Sequence, residues 1–167
     1  NVATDDLGDA LQDVFWLACD HLLMCHTNPW ELDEGLCEWG YATGPCEVMD
    51  HLGLDIVLER RAGAGSTILR RMVAEGRMGK IGGVGHYRYP GGGGAVIDPL
   101  IEDLILEEAY FAKQIRTAMD DGALVEHLNA ALAQSIEDAV SNGADRGDMI
   151  ALAIERLHFP AAKVATL

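Results

Sequence analysis

The stretch Gly76–Gly94, GRMGKIGGVGHYRYPGGGG, interrupts a sequence that is otherwise patterned for helices and divides it into two halves. Glycine at positions 76, 79, 82, 83, 85 and 91–94 allows positive φ angles and lets another segment or a ligand approach the backbone closely. The run His86–Tyr89, ended by Pro90, is typical of one extended turn or an edge strand. We therefore expect the rest of the chain to pack around this loop.

Two nucleotide-binding motifs can be tested against the same stretch. A phosphate loop requires G-x-x-x-x-G-K-[ST], but Ala74 stands six residues before Lys80 and Ile81 follows it. A dinucleotide-binding turn requires G-x-G-x-x-G, but residues 83–85 are followed by Arg88 where the third glycine belongs. The sequence therefore predicts no ATP or nicotinamide site in this chain.

Both halves of the chain show apolar residues at helical spacing, and no segment alternates with a period of two. Asn28–Pro29, Gly44–Pro45 and Asp98–Pro99 are typical helix starts, and Ser66 caps another helix after a flexible link at residues 62–65. The sequence predicts an all-α fold. We expect a single helical domain over residues 1–167, with unit one at about 5–75, a Gly-rich loop at 76–97 and unit two at about 98–167.

A weak internal repeat relates the two units. A shift of 118 residues places Leu32 on Ile150, Gly35 on Ala153, and Tyr41–Ala42 on Phe159–Pro160. Each half then reads as a long helix, a break, a short helix and an aromatic turn, which indicates two copies facing each other around the loop. The alternative is that any two helical hairpins align this well by chance.

Composition limits the classes of partner. The chain has 167 residues, 49% of them hydrophobic, and a formal net charge of -15, so nucleic acid and anionic membranes would be repelled. No apolar run reaches the length of a membrane span, and the opening residues do not resemble a signal peptide. We expect a cytoplasmic protein with reduced thiols.

Four cysteines, with three histidines nearby, raise the question of a metal site. The spacing of Cys19, Cys25, Cys37 and Cys46 lacks the close pairs of a zinc site. The simpler interpretation is that these thiols are small apolar residues on helices. No metal site is predicted.

Basic residues are concentrated in one segment of this acidic chain. Between positions 60 and 88 the only acid is Glu75, whereas seven of the twelve basic residues lie there: Arg60, Arg61, Arg70, Arg71, Arg77, Lys80 and Arg88. Such a cluster can bind the phosphates of an anionic ligand such as a coenzyme A thioester. It can also be a solvated face, or a surface that pairs with an acidic neighbouring domain.

Catalytic constellations are missing from the sequence. His127 follows Glu126 directly, so their side chains diverge on a helix, and no G-x-S-x-G elbow occurs. His86 lies in the Gly-rich loop, where a packed or surface ring is the commoner role. No catalytic residue is predicted.

Two segments resemble motifs of the 3-hydroxyacyl-CoA dehydrogenase C-terminal helical domain. Residues 40–55, GYATGPCEVMDHLGLD, are similar to the family's G-F-P-M-G-P-F-E-L-x-D-x-V-G-L-D, and residues 78–89, MGKIGGVGHYRY, to its L-G-R-K-T-G-x-G-F-Y-x-Y. Phe159–Pro160 resembles the G-F-P turn of a second copy of the domain. Ile81 and Gly82 depart from the family's Lys-Thr, and His86 replaces an aromatic ring.

The resemblance implies a part of an enzyme of fatty acid β-oxidation that oxidises (3S)-3-hydroxyacyl-CoA with NAD. NAD and the His-Glu acid-base pair would then belong to an upstream domain, and this chain alone would be inactive. It would close the acyl-CoA cleft and form a homodimer contact. The implied substrate-binding candidates are Gly44, Pro45, Gly79, Lys80, Gly83, Gly85, Tyr87, Arg70, Arg71 and Arg77.

A different class of function fits the same residues. A helical interaction module could keep this fold without catalysis and bind a partner through its apolar faces. The departure at Ile81–Gly82 favours this alternative slightly, because it alters the polar part of the loop.

Overall fold

A computed structural model describes residues 2–61 and 66–167 and shows a helical fold within them. The predicted all-α class is confirmed, and the loop that could have formed an edge strand contains isolated antiparallel bridges: Gly79 with Val84, Val84 with Arg88, and Arg88 with Val96. The predicted flexible link at 62–65 lies outside the described residues. The helices are α1 Val2–Cys25, α2 Pro29–Trp39, α3 Pro45–Leu52, α4 Leu54–Arg60, α5 Thr67–Ala74, α6 Pro99–Phe111, α7 Asp121–Ser141 and α8 Arg146–Leu157, with 3-10 turns at Pro90–Gly92 and Ala161–Thr166.

The helix starts follow the local sequence signals. The side chains of Asn28, Ser66 and Asp98 each accept a hydrogen bond from a backbone N–H in the first turn, at 3.0 to 3.1 Å. Such caps stabilise a helix by about 1 kcal/mol each. The three predicted caps are confirmed.

Helix α1 is the central element of the core. It contacts α3, α5, α6, α7 and α8, and its buried side chains include Phe15, Trp16 and Leu22. Of the helices in the described residues, none is both long enough and apolar enough to cross a bilayer.

The order and packing of the helices are compatible with the predicted repeat. A shift of 118 residues carries α1 onto α7 and α2 onto α8, and the cross-contacts are reciprocal because α1 packs on α8 while α2 packs on α7. At the matching turns the rings of Tyr41 and Phe159 meet edge to face at 5.5 Å, and the Ala42 N–H donates to the His158 carbonyl at 3.1 Å. The division into two units stays a prediction that fits this geometry.

Candidate functional site

Asp50, on α3, is the anchor of the Gly-rich loop. Its Oδ1 accepts the His86 backbone N–H at 2.8 Å, and its Oδ2 accepts the Tyr87 N–H at 3.0 Å and the Tyr89 hydroxyl at 2.8 Å. The His86 ring Nδ1 lies 2.9 Å from the same Oδ1. Since a carboxylate only accepts, Nδ1 carries the hydrogen. One buried side chain thus holds the turn through four hydrogen bonds.

Two loop glycines are required by their closeness to Asp50. A Cβ at Gly79 would lie 2.3 Å from the Asp50 carbonyl oxygen, and φ is +115° there. A Cβ at Gly85 would lie 2.4 Å from Asp50 Oδ1. The next residue after Gly79, Lys80, donates its N–H to the Asp50 carbonyl at 2.9 Å. Only glycine lets the loop approach α3 this closely.

Asp33, on α2, organises the turn before α3 in the same way. Its Oδ1 accepts the Cys46 N–H at 2.9 Å, and its Oδ2 accepts the Glu47 N–H at 3.0 Å and the Tyr87 hydroxyl at 2.8 Å. A Cβ at Gly44 would lie 2.2 Å from the Asp33 Cγ. Burial raises the pKa of Asp33 to about 6, although these three donors act in the opposite direction. Tyr87 therefore connects the loop to both buried carboxylates.

Arg77 supports the loop from inside the protein. Its Nη1 donates to the Gly85 carbonyl at 2.9 Å, and its Nη2 donates to Asp98 Oδ2 at the same distance. The Asp98 side chain also caps α6. Arg77 is buried. The sequence suggested it as a contact for the phosphates of a ligand, whereas in the structure it links the loop to the start of α6.

Most of the basic cluster is paired with acids, and most of these acids come from distant segments. Arg60 lies 3.4 Å from Asp9 and 3.2 Å from Asp13, and the guanidinium of Arg61 pairs with buried Asp20. Arg71 contacts three carboxylates, those of Glu75, Glu107 and Glu108, at 2.9 to 3.2 Å. The segment that looked positive in sequence is therefore largely neutralised within the fold.

The tip of the loop is the accessible part of the predicted site. Lys80 places its Nζ 5.9 Å from the centroid of the Tyr89 ring, and Ile81, Gly82 and Gly83 are exposed. Arg70 is also exposed, on α5. Beside the tip lies a cavity of about 350 Å³, whose lining includes Leu52, Ile56, Met78 and Ile81.

The ten predicted residues divide by burial. Gly44, Pro45, Gly79, Gly85, Tyr87 and Arg77 are buried and hold the framework, whereas Lys80, Gly83, Arg70 and Arg71 are partly or fully accessible. The structure brings the turn at Gly44 and the loop together, through Asp33 and Tyr87.

Sequence reasoning missed the two organising acids. Asp33 precedes the buried Leu36 by three positions, and Asp50 follows the buried Cys46 by four, so each acid shares a helix face with a core residue. An acid at a core position is the signal that could have identified them, because a buried carboxylate needs several donors.

The cysteines are mostly core residues. Cys19, Cys25 and Cys46 are buried, and Cys37 is exposed. Over residues 2–61 and 66–167, no three His, Cys, Asp or Glu side chains are grouped to hold a metal ion.

Comparisons with known proteins agree with this geometry. Residues 11–89 match the model of the 3-hydroxyacyl-CoA dehydrogenase C-terminal domain, and this range contains Asp33, Asp50 and the turn at Tyr87. The fold is similar to a crystal structure of the dehydrogenase part of multifunctional enzyme 1 from C. elegans, with a TM-score of 0.76 and 18% identity. The similarity covers 94% of this chain and 37% of that one. The search of curated proteins gave no match. The resemblance to the C-terminal domain of the 3-hydroxyacyl-CoA dehydrogenases that was inferred from the sequence is therefore confirmed over residues 11–89.

Proposed function

We propose that this chain is the substrate-cleft and dimerisation part of an NAD-dependent (3S)-3-hydroxyacyl-CoA dehydrogenase of fatty acid β-oxidation. The observation that carries the proposal is the family match over residues 11–89, which includes every residue of the Asp33 and Asp50 network. In this proposal an upstream domain supplies NAD and the acid-base pair. The helical chain supplies a rigid wall for the acyl-CoA cleft.

Lys80 is the residue best placed for an anionic ligand at the loop tip. Its backbone is fixed by the Asp50 carbonyl, whereas its ammonium lies over the Tyr89 ring at a partly exposed position. Arg77 and Tyr87 then act by holding the loop, because their polar atoms are committed to Asp98, Gly85 and Asp33. A cationic side chain on a rigid turn suits the phosphates of coenzyme A.

A second candidate function is a helical interaction module without catalysis. It is favoured by the fully exposed side chain of Ile81, which lines a cavity together with the apolar side chains of Leu52, Ile56 and Met78. An exposed aliphatic residue at a rigid tip suits contact with a protein better than contact with a phosphate.

The mass and the activity of the native gene product distinguish the two candidate functions. We would isolate it from its own cells, measure its mass, and assay NADH oxidation with acetoacetyl-CoA as substrate. A product much larger than 18.0 kDa that turns over acetoacetyl-CoA supports the dehydrogenase. A product of this size without turnover contradicts that proposal and favours the interaction module.

The role of Lys80 is tested in the same assay. Lys80→Glu should raise the KM for acetoacetyl-CoA roughly fivefold at unchanged kcat, as expected for a loss of about 1 kcal/mol of uniform binding. Lys113→Glu, an equal charge reversal at an exposed position after α6, is the matched control. Equal KM values for both variants would contradict the assignment of Lys80.

A further inference from the structure

His86 is a buried titratable residue to which the proposed function gives no role. Its side chain is 1% exposed, and Nδ1 lies 2.9 Å from Oδ1 of Asp50, whose side chain is 0% exposed. The other ring nitrogen, Nε2, is buried without a hydrogen-bond partner among the described residues. The backbone N–H of the same residue also donates to Asp50. His86 thus joins the loop to α3 by both its backbone and its ring.

We propose that the His86–Asp50 pair is a proton-controlled clasp, in which the charged imidazole holds the Gly-rich loop on α3 and loss of its proton loosens the loop. The clasp requires only the contacts of this chain, so it does not depend on the proposed dehydrogenase activity. Its consequence is that the position of the loop tip responds to pH.

The charges around His86 come from three helices and from one residue that follows a fourth helix. Asp20 on α1, Asp33 on α2 and Asp50 on α3 act on the imidazole, and Arg61, just after α4, pairs with Asp20. With a protonated His86, two cations face three carboxylates. When His86 loses that proton, Arg61 is the one cation left among these five described side chains. Buried carboxylates without a compensating charge are costly, so the loop that brings Asp50 its donors is destabilised.

The remaining groups of the turn are neutral donors or are committed elsewhere. The hydroxyls of Tyr87 and Tyr89 donate to Asp33 and Asp50, and burial raises the pKa of each phenol further above its ordinary value. Arg77 donates to Gly85 and Asp98. None of these side chains can replace the charge that His86 supplies.

The direction of the pH effect follows from the carboxylates. Burial lowers the pKa of His86, but Asp50, Asp20 and Asp33 together raise it above its ordinary value of 6.5. A histidine whose folded pKa is raised contributes stability below the unfolded pKa, and that stability is lost as pH rises through the folded value. The ratio of folded to unfolded protein falls tenfold for each pH unit that separates the two pKa values.

Two substitutions remove the titration in different ways. His86→Asn keeps a neutral N–H donor on a short side chain near Asp50, and His86→Phe keeps a ring of similar size without a donor. His51→Asn is the control, because His51 is an exposed histidine on the same helix as Asp50. If one of the His86 variants fails to fold, the other still shows whether the pH dependence of stability requires the proton of His86.

The test measures urea unfolding and amide hydrogen exchange of the reduced 167-residue chain from about pH 6 to about pH 9. In the wild type and in His51→Asn, the midpoint should fall with pH, and the His86 and Tyr87 amides should lose protection after correction for intrinsic exchange. In His86→Asn and His86→Phe the pH slope should be smaller. NMR titration of the His86 ring should give a pKa above its ordinary value of 6.5. Parallel slopes in all four proteins, or a ring pKa below that value, would overturn the proposal.

Discussion

Replacing Asp50 by asparagine gives the most direct test of how the loop is held. The substitution preserves the shape of the side chain but removes its charge and turns one oxygen into an NH₂ donor. If the amide takes the place of Oδ1, it faces the two donors of His86, and if it takes the place of Oδ2, it faces the N–H of Tyr87 and the hydroxyl of Tyr89. Either orientation leaves a buried backbone N–H, that of His86 or that of Tyr87, without its acceptor.

The magnitude follows from these four contacts. A hydrogen bond to a charged group contributes about 1.5–3 kcal/mol, and breaking a buried ion pair by removing one partner costs about 3–5 kcal/mol. We therefore expect Asp50→Asn to lower the free energy of unfolding by about 3–5 kcal/mol. For a domain of this size that corresponds to a fall in Tm of roughly 6–20 °C.

The assay is thermal unfolding followed by helical circular dichroism at neutral pH. Asp55→Asn is the matched control, because Asp55 is an exposed acid in the first turn of α4. Its loss should cost at most about 1 kcal/mol through the helix dipole. If Asp50→Asn melts within about 2 °C of the wild type, or if Asp55→Asn is equally destabilised, the anchoring role of Asp50 is refuted.

The other expected outcomes concern the contacts around the two acids. Gly85→Ala should destabilise the protein by more than about 2 kcal/mol in urea unfolding, because its Cβ would overlap Asp50, whereas Gly94→Ala should change stability by less than about 1 kcal/mol because nothing lies within 4 Å. Tyr87→Phe removes a donor from the Asp33 carboxylate and should cost about 1.5–3 kcal/mol in the same measurement. Since burial raises the pKa of Asp33 to about 6, its ionisation opposes folding, so its contribution to stability should rise as pH falls from 6 towards 3.8. In Asp33→Asn the rise in stability between pH 6 and 3.8 should be absent. If the wild type and this variant show the same dependence of stability on pH, the role given to Asp33 is contradicted.

The elements that the sequence predicted well are those decided by neighbouring residues. Asn28, Ser66 and Asp98 begin helices because each side chain accepts from an N–H two or three positions further on, and that geometry needs no distant segment. The loop was less predictable, because the run His86–Tyr89 has the residues of a strand, but the described part of the chain offers it only isolated bridges. Its backbone instead closes a tight turn, with the Tyr89 N–H donating to the Gly83 carbonyl at 2.9 Å.

The site was predictable only in part, because its polar partners are distant in sequence. The motif around Gly79 and Gly85 was identified, but its acceptor Asp50 stands on another helix, and its core position does not reveal which segment it binds. The basic cluster was misleading for the same reason, since Arg71 is neutralised by Glu107 and Glu108 on α6. Charges counted along a segment do not include the acids that folding brings to it.

The structure separates the part of the loop that maintains the fold from the part that can contact a ligand. The base, at Gly79 and Gly85, leaves no space for a Cβ beside Asp50. At Gly82 an added Cβ would make only ordinary contacts, with the Met78 Cβ at 3.5 Å and the Gly79 carbonyl oxygen at 3.8 Å, and Ile81 is fully exposed. Substitutions at Lys80, Ile81 and Gly82 can therefore alter ligand or partner preference at little cost in stability, whereas changes at the base act on stability first. A loop of this construction allows recognition to diverge while the fold is retained.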